Sequence, residues 1–491
     1  RGAVLAQPKF SSYPFTLGIA SGDPAPDGVV LWTRLAPQPL APDGGMPPEP
    51  VQVSWQVAED EGMTKVVREG TAIATPEWAH SVHVEVDGLQ PDRWYFYQFK
   101  AGSEFSPKGR TRTFPLATSL PGRVRFAVAS CQHYESGFFT AYEHMVKEDL
   151  DLVLHLGDYI YEGAAKETGA FRKHVGPQLR TLPQYRARHA QYKTDPALQA
   201  MHAAAPWLVT WDDHEFANNC AGAISEDPNE ATADYLLRRA AAYQAYYEHM
   251  PLRRSAMPKG PDMLLYRRLA YGRLADFHVL DTRQYRTDQP CGDHNKPMCP
   301  EALDPNNSLL GSIQRDWFFE NLAKSAAGWN VLAQQVMMAR IDRKAGAEEA
   351  FSMDQWPGAE MERRRVLKYF HEQRIKNPVV LTGDIHSNWA NNLIADFDNL
   401  DSRVVATEFV GTSITSGGDG KFRPATLDAT YSENPFCEFH SQERGYISCE
   451  VTPAQWQARY RAVEYITRPG APLLTRATFV VESGRPGLQA G

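Results

Sequence analysis

Three apolar segments of this chain each end in a cluster of side chains that can bind metal ions. They are LVLHLGDYIYEG (152–163), LVTWDDHEFANN (208–219) and VVLTGDIHSNW (379–389). A fourth, FAVASCQHY (126–134), ends in a cysteine in the same way. Each apolar part has the composition of a buried strand, and the polar residues follow it directly. Because open α/β sheets bind ligands at the carboxyl ends of their strands, we expect the four strand ends to converge on one metal site.

The chain is long enough for a large core and more than one domain, with 491 residues, 43% of them hydrophobic and 22% charged. Its formal net charge of −8 argues against non-specific nucleic-acid binding, which needs a basic surface. No apolar run approaches the ~20 residues of a membrane span. We therefore expect neither a nucleic-acid-binding surface nor a transmembrane segment.

The secondary-structure pattern that the sequence predicts changes near residue 120. Residues 8–118 contain short alternating strands such as VQVSWQVAE (51–59), separated by turns and without helices. This pattern predicts an all-β immunoglobulin-like or fibronectin-like sandwich. SLPGR (119–123) has the composition of a linker. In residues 122–491 strands alternate with helices, which predicts an α/β domain with mixed β-sheets flanked by helices.

Two features bear on the cellular compartment. The segment RGAVLAQP (1–8) resembles the tail of a removed export signal. The alternative, equally compatible with these residues, is an arbitrary chain boundary. Cys291 and Cys299 bracket a short loop, and Cys437 and Cys449 bracket another local segment. Both pairs predict local disulfides and an oxidising compartment.

The motif GDYIY places Asp158 one residue after an apolar strand and Tyr161 three residues further on. One loop can aim both oxygens at one point. A carboxylate can bridge two metal ions, and a phenolate suits a hard trivalent metal. The alternative interpretation is an aspartate that caps the strand and a tyrosine that packs in the core.

Two further motifs strengthen the metal interpretation. Residues 212–215 (DDHE) place four ionisable groups at one strand end, which is costly unless a metal or a substrate uses them. The alternative is a helix start with salt bridges. Asp384 and His386 lie two residues apart, so on an extended strand end they project to the same side. A core histidine paired with an aspartate is the alternative there.

Cys131 ends the fourth strand. A thiolate beside a cation is easily deprotonated, so a ligand role is chemically sensible. A disulfide between Cys131 and Cys220 is the alternative, and otherwise we interpret Cys220 as a buried free thiol. The segment SITSGGDG (413–420) is glycine-rich but lacks the strand-then-helix context of a phosphate loop, so we interpret it as a plain loop that could lie near the site.

In this order, the motifs Cys, GDxxY, DDHE and GDIH resemble the calcineurin-like metallophosphoesterase superfamily. In particular they resemble the PhoD-like secreted alkaline phosphatase and phosphodiesterase family, to which certain secreted phospholipase D enzymes also belong. FTLGIASGDPAPDGVVLWTRLAP (15–37) is similar to the opening of that family's N-terminal sandwich. The superfamily motifs usually read GDxxY, GNHE and GHxH. Here Asp212 and Asp213 replace Gly-Asn, and Asp384 replaces the first histidine.

The resemblance implies a metallophosphoesterase domain that binds one Fe³⁺ with Ca²⁺ beside it. The additional carboxylates fit a hard cation such as calcium. The residues implied as iron ligands are Cys131, Asp158, Tyr161 and His386. Those implied for the second metal are Asp158, Asp213 and Asp384, assisted by Asn219 or Asn218.

The resemblance also implies two residues that act on the substrate. His214 would face the substrate phosphate. Arg283 lies in LDTRQYR (280–286), which matches another family pattern, and is the candidate phosphate clamp because guanidinium binds phosphate bidentately. The alternative for Arg283 is a structural ion pair with Asp281.

We therefore expect an exported metal-dependent phosphoester hydrolase, a phosphomonoesterase, a phosphodiesterase or both. Its metals would activate a hydroxide nucleophile, and its substrate would be a small phosphoester, with a phospholipid or a teichoic-acid-like diester among the options. A periplasmic or secreted location after twin-arginine-type export fits the disulfides. One alternative is a phospholipase D-type phosphodiesterase that acts on phospholipids. Another is a non-catalytic surface binding protein with an inert phosphoesterase fold, against which the intact Asp158, Asp213 and His386 argue.

Overall fold

The computed structural model describes residues 9–491. The segment RGAVLAQP, which we interpret as the tail of an export signal, lies outside these residues. The strands, in chain order, are β1 (Ile19–Ala25), β2 (Gly28–Arg34), β3 (Val51–Ala58), β4 (Val66–Ala74), β5 (Ser81–Val86), β6 (Trp94–Ala101), β7 (Glu104–Phe105), β8 (Gly109–Arg112), β9 (Val124–Ala129), β10 (Leu152–His155), β11 (Trp207–Val209), β12 (Arg267–Tyr271), β13 (Ala275–Val279), β14 (Asn295–Lys296), β15 (Trp329–Ala333), β16 (Phe351–Ser352), β17 (Pro378–Thr382), β18 (Asn388–Ile394), β19 (Val404–Val410), β20 (Cys437–Ser441), β21 (Arg444–Val451), β22 (Gln455–Val463), β23 (Leu473–Glu482) and β24 (Arg485–Ala490).

The α-helices of the described residues are fewer than the strands, and all of them follow residue 139. They are α1 (Thr140–Met145), α2 (Leu182–Lys193), α3 (Pro196–Ala204), α4 (Thr232–His249), α5 (Gly311–Lys324), α6 (Glu360–Glu372) and α7 (Leu427–Glu433). Short 3₁₀ turns occupy Pro76–Trp78, Tyr134–Ser136, Val146–Glu148, Arg254–Ala256, Pro290–Gly292 and Trp356–Ala359.

Two large sheets form the centre of the protein. One has ten strands in the order β24-β23-β22-β21-β9-β10-β11-β1-β2-β5, and the other has seven in the order β12-β13-β15-β17-β19-β18-β20. Strands β9, β10 and β11 run parallel to one another, as do β13, β15, β17 and β19. Their other neighbours are antiparallel except β1, which runs parallel to β11. Both sheets are mixed, as the sequence predicts.

The alternation of side chains along the strands explains how the layers stack. Leu154 on β10 and Val331 on β15 share one buried apolar cluster, so the two sheets pack face to face. The neighbouring Val153 points to the opposite face and packs in a cluster with helices α1 to α4. Leu332 likewise packs with α5 and α6 on the outer face of the second sheet. Because successive strand residues face opposite sides, each sheet is buried on both faces, with helices outside.

The N-terminal region is rich in sheet, as expected, but one of its layers is continuous with the ten-stranded sheet. Strands β1, β2 and β5 join that sheet through the parallel contact of Gly22 with Trp207. A Cβ at Gly22 would lie 2.8 Å from the carbonyl oxygen of Trp207 on β11 and 2.4 Å from that of Pro251, so the close approach of these segments requires glycine. Opposite them lies a second sheet, β4-β3-β6-β7, with β8 paired to β6. The immunoglobulin-like label and the boundaries 8–118 and 122–491 remain predictions.

The cysteines correct one sequence prediction. Cys291 and Cys299 form a disulfide with a Cα–Cα distance of 6.0 Å, as predicted. The predicted Cys437–Cys449 disulfide is wrong, because both thiols are free and buried. Cys437 begins β20 of the seven-stranded sheet and packs against its outer helices, whereas Cys449 lies on β21 of the ten-stranded sheet and faces the space between the sheets. Cys131 and Cys220 are also unbridged.

Among residues 9–491, none of the helices combines the length and the apolar character that a membrane crossing requires.

Candidate metal centre

The structure brings the four polar strand ends together. Cys131 follows β9, Asp158 follows β10 and Asp213 follows β11, which are three adjacent parallel strands. Asp384 and His386 follow β17 of the facing sheet. The carboxyl ends of these strands lie at the same edge of the two stacked sheets, so their side chains meet in one place.

The main chain is strained at this edge. Five of the seven predicted ligands have left-handed backbone conformations: φ is 58° at Cys131, 55° at Asp158, 48° at Asn219, 65° at Asp384 and 55° at His386. Non-glycine residues rarely adopt such angles, and each costs on the order of 1–3 kcal/mol. Strain of this kind concentrates at functional sites, where it aims side chains that a regular strand would turn away.

The first group of potential ligands contains sulfur, oxygen and nitrogen. One potential ligand atom from each of Cys131, Asp158 and His386 lies within 4.8 Å of the other two. The Tyr161 hydroxyl donates a hydrogen bond to Asp158 Oδ2 at 2.9 Å and lies 3.1 Å from His386 Nε2. Tyr161 is therefore in reach of the same point as the three other side chains.

The second group consists of carboxylates. Ligand atoms of Asp212, Asp213 and Asp384 lie within 4.8 Å of one another, and so do those of Asp158, Asp213 and His214. Asp158 thus belongs both to this second set and to the sulfur-containing group. In the described part of the chain, residues 9–491, the buried oxygens Asp158 Oδ1, Asp212 Oδ2 and Asp213 Oδ1 have no hydrogen-bond partner. Buried carboxylate oxygens without partners are costly, so this donor set fits a bound cation.

The carboxylates repel one another. Burial raises the pKa of Asp384 to about 7, and Asp354, Asp213 and Asp158 add to the effect although Arg283 opposes it. Burial likewise raises the pKa values of Asp212 and Asp213, again against the opposing effect of Arg283. Hard cations bound among these oxygens would relieve both the desolvation and the repulsion.

Arg283 lies beneath the carboxylates and is 1% exposed. Its Nε donates to Asp212 Oδ1 at 2.5 Å, and its two terminal nitrogens donate to the two oxygens of Asp354 at 2.7 and 2.9 Å. The guanidinium therefore hydrogen-bonds to Asp212 and Asp354, and its Nη2 also lies 3.5 Å from Asp384 Oδ1. Asp281 instead accepts the main-chain N–H of Arg283, at 3.0 Å. The role of phosphate clamp remains a prediction, and these contacts support a role in holding the carboxylates.

His214 lies at the open side of the group, with 21% of its side chain exposed. Its Nδ1 is 2.7 Å from Glu162 Oε2, and its ring packs on Tyr161 with 4.3 Å between centroids. Burial alone would lower the pKa of His214, but Asp213, Glu162 and Asp158 together raise it well above the usual range. These carboxylates favour the protonated imidazole.

The two asparagines differ in their surroundings. The main-chain N–H of Asn219 donates to Asp213 Oδ2 at 2.7 Å, and its side chain donates to Asp293 at 2.8 Å. Asn218 instead donates from its side chain to Glu226 at 2.8 Å, away from the carboxylates. This arrangement favours Asn219 over Asn218, and its role as a ligand remains a prediction.

The sequence analysis gave no individual role to four residues that hold the site. Glu162 orients His214, and Asp354 pairs with Arg283. Ser416, in the glycine-rich loop 413–420, lies 2.7 Å from the Tyr161 hydroxyl. Glu215 accepts main-chain hydrogen bonds from Asp158 and Asp212 at 3.0 and 2.8 Å. Glu215 could have been found as the last residue of DDHE, whereas nothing in the sequence distinguishes Asp354.

Comparison with known proteins points in the same direction as the geometry. A family model described as "PhoD-like phosphatase" matches residues 126–460, and one described as "PhoD-like phosphatase, N-terminal domain" matches residues 2–115. The chain is 54% identical to "Alkaline phosphatase D" of Bacillus subtilis (strain 168) over 490 residues, which cover 99% of this chain and 84% of that protein. A solved structure described as "Structure of PhoD" superposes with a TM-score of 0.96 at 53% identity, covering 98% of this chain and 93% of the other.

Proposed function

This chain belongs to the PhoD-like phosphatase family, and we propose that its hydrolysis of phosphoric esters takes place at the centre formed by Asp158, Asp213, Asp384 and His386. Enzymes of this class cleave a phosphoester bond with water. The observation that carries the proposal is the meeting of four strand ends at one buried group of unpartnered carboxylate oxygens. Neither the alternative of an inert binding protein nor that of a phospholipid-specific enzyme is favoured by the relatives.

The metals that we propose are Fe³⁺ and Ca²⁺. Cys131 offers a thiol and Tyr161 a phenol close to Asp158, and a phenolate ligand suits trivalent iron. Asp213 and Asp384, with Asn219 beside them, offer the oxygen donors that calcium prefers. When bound, such cations polarise phosphoryl oxygens and lower the pKa of water to supply the nucleophile.

The chain's own residues would do the remaining work. Glu162 holds the His214 ring through Nδ1, which leaves Nε2 free to carry a proton. We propose that His214 donates this proton to the leaving oxygen of the ester. Arg283 keeps Asp212 and Asp354 in place beneath the site.

An exported location is also part of the proposal. The Cys291–Cys299 disulfide supports an oxidising compartment. Twin-arginine-type export to the periplasm or the exterior would place the enzyme in such an oxidising compartment. Small phosphoesters are the substrate class, and the mono- or diester preference depends on the walls around the site.

Chelation and reconstitution test the metal assignment. We expect EGTA to abolish hydrolysis and calcium to restore it better than magnesium, because the carboxylate-rich side suits the larger oxygen-binding cation. A panel of a monoester, a bis-ester and a phospholipid would be assayed in each state. Full recovery with magnesium or zinc alone contradicts the calcium assignment. A purified protein that binds no metal contradicts the proposed centre and favours the inert binding protein.

A further inference from the structure

A positively charged side chain that binds the substrate phosphate at this site needs free N–H groups that face the solvent. Arg283 does not have them, because its guanidinium is buried and donates to two carboxylates. Arg444 is 3% exposed, and its guanidinium donates to the main-chain oxygens of His386 and Gln442 at 2.5 and 2.6 Å and to Ser413 at 2.7 Å. Neither arginine can meet an incoming phosphoester without giving up these bonds.

A pocket of about 410 Å³ opens beside the candidate metal centre, and His386 forms part of its wall. His386 is the candidate ligand that lines the pocket, with 34% of its side chain exposed. Asp384, two residues earlier, is 20% exposed. Trp389 and His440 stack with 3.7 Å between ring centroids in another wall. The pocket therefore joins the solvent to the centre at His386.

Arg343 lines this pocket and has an anchored main chain and a free head group. Its N–H donates to Ala350 at 2.8 Å, and the preceding Asp342 is held by two hydrogen bonds to Asn434 at 2.8 and 2.9 Å. The side chain is exposed, and its guanidinium lies 5.3 Å from the Trp389 ring centroid. An aromatic wall at this distance restricts the guanidinium without using its N–H groups.

The polar contacts of Arg343 lead back to the centre. Its Nη2 makes one long hydrogen bond of 3.4 Å to Gln355 Oε1. The amide nitrogen of Gln355 in turn donates to Asp384 Oδ2 at 3.2 Å. A single side chain thus separates Arg343 from a predicted metal ligand, and within residues 9–491 most of the guanidinium donors have no hydrogen-bond partner.

We infer that Arg343 binds the phosphoryl oxygens of the substrate from this pocket. The inference rests on the proposed function and assigns to Arg343 the clamp that sequence analysis gives to Arg283. A planar guanidinium can donate two parallel hydrogen bonds to a phosphoryl group, and the charge-assisted bonds hold the ester against the centre. Trp389 and His440 then border the space for the group esterified to the phosphate.

The test compares Arg343→Ala and Arg343→Lys with Lys344→Ala. Lys344 is the neighbouring exposed cation and pairs with Glu348, so its removal controls for a general loss of positive charge. Measurements are KM, kcat, inhibition by inorganic phosphate, phosphate binding by calorimetry and metal content. For Arg343→Ala we expect KM and the phosphate dissociation constant to rise by about 10- to 100-fold at unchanged metal content. Arg343→Lys should recover part of the loss, and Lys344→Ala should resemble the parent.

If Arg343→Ala keeps the parent's phosphate affinity and KM, the inference is overturned. The proposed function then still stands, provided that the parent hydrolyses the phosphoester. If the parent hydrolyses no phosphoester, the proposed function fails, and calorimetry with phosphate still decides whether Arg343 binds the anion. Arg283→Lys provides the opposite signature. This substitution should lower metal content, because Asp212 loses its Nε donor and Asp354 loses its bidentate pair of donors. Loss of metal in Arg343→Ala would place Arg343 among the residues that hold the ligands and would contradict the clamp.

Discussion

The carboxylate of Glu215 accepts a hydrogen bond of 3.0 Å from the main-chain N–H of Asp158. It also accepts the main-chain N–H groups of Tyr159 and, at 2.8 Å, Asp212. Glu215 is 1% exposed, so one buried side chain ties together the loops that follow β10 and β11. Asp158 belongs to both groups of potential ligands. Glu215 therefore helps to position a shared ligand without belonging to either group itself.

Glu215→Gln should therefore weaken metal binding. An amide has one accepting oxygen and a nitrogen that cannot accept, so at least one of the three main-chain donors loses its partner. We expect metal affinity to fall by about 10- to 100-fold, as for other residues that orient ligands. Competition with a chelator measures this, and Glu226→Gln, an exposed change, is the control. A folded Glu215→Gln variant with the parent's metal affinity would contradict the positioning role.

Asp158→Asn and His214→Ala should separate the two kinds of residue. Asp158 belongs to both groups of potential ligands, so its loss should reduce metal content and cost more activity than any other single carboxylate change. His214→Ala should keep its metals and lower kcat by about 10²–10⁴-fold, as for a lost general acid. Metal analysis and kcat are measured side by side. Near-normal rate and metal content in Asp158→Asn contradict the site, and metal loss in His214→Ala makes His214 a ligand.

Tyr161→Phe should change the colour of the purified protein. If the Tyr161 phenolate or the Cys131 thiolate binds Fe³⁺, charge transfer from that ligand produces visible absorption. The substitution removes the phenol oxygen that lies 2.9 Å from Asp158 and 3.1 Å from His386. We expect the absorption band to shift or to lose intensity, with iron content determined in parallel. An iron-containing parent that is colourless is incompatible with the assignment.

Lys193→Met should alter the pH dependence of stability at a point away from the metals. Burial lowers the pKa of Lys193 to about 7 from 10.5. Its Nζ lies 4.3 Å from the Trp32 ring centroid and 3.5 Å from His202 Nε2. Between about pH 7 and 10.5 the unfolded chain binds more protons than the folded one, so this residue makes stability rise with pH, by up to about 1.4 kcal/mol per unit.

The full cost of burying the charge thus applies below about pH 7 and disappears above 10.5. Methionine has a similar shape without the charge, so we expect Lys193→Met to be more stable than the parent near pH 7. The advantage should shrink steadily toward pH 10. Denaturant unfolding of both proteins at several pH values measures the difference. A difference that stays constant with pH would show that Lys193 keeps its ordinary pKa in the fold.

Much of the site could be predicted because its signals are local. A buried parallel strand appears in the sequence as a short apolar run, and the residues that face the ligand follow within a few positions, as at Asp158 and His386. Convergence at one edge then follows from the general rule for such sheets. The mixed sheets and the helices outside them are readable for the same reason.

Contacts between distant segments could not be predicted in this way. Cys437 and Cys449 are close in sequence, yet their strands belong to different sheets, so they form no disulfide. Asp354 meets Arg283 across 71 positions, and Ser416 meets Tyr161 across 255.

The sequence by itself determined the kinds of side chain at the strand ends, because hydrophobic periodicity and local spacing specify them. Only the tertiary structure decided which arginine keeps hydrogen-bond donors available for a ligand. The guanidinium of Arg283 is buried and donates its hydrogen bonds to Asp212 and Asp354. Arg343 lines the pocket, and within residues 9–491 most of its guanidinium donors are unpaired. Burial and the supply of partners decide what a guanidinium can bind, and both depend on how the two sheets pack against each other.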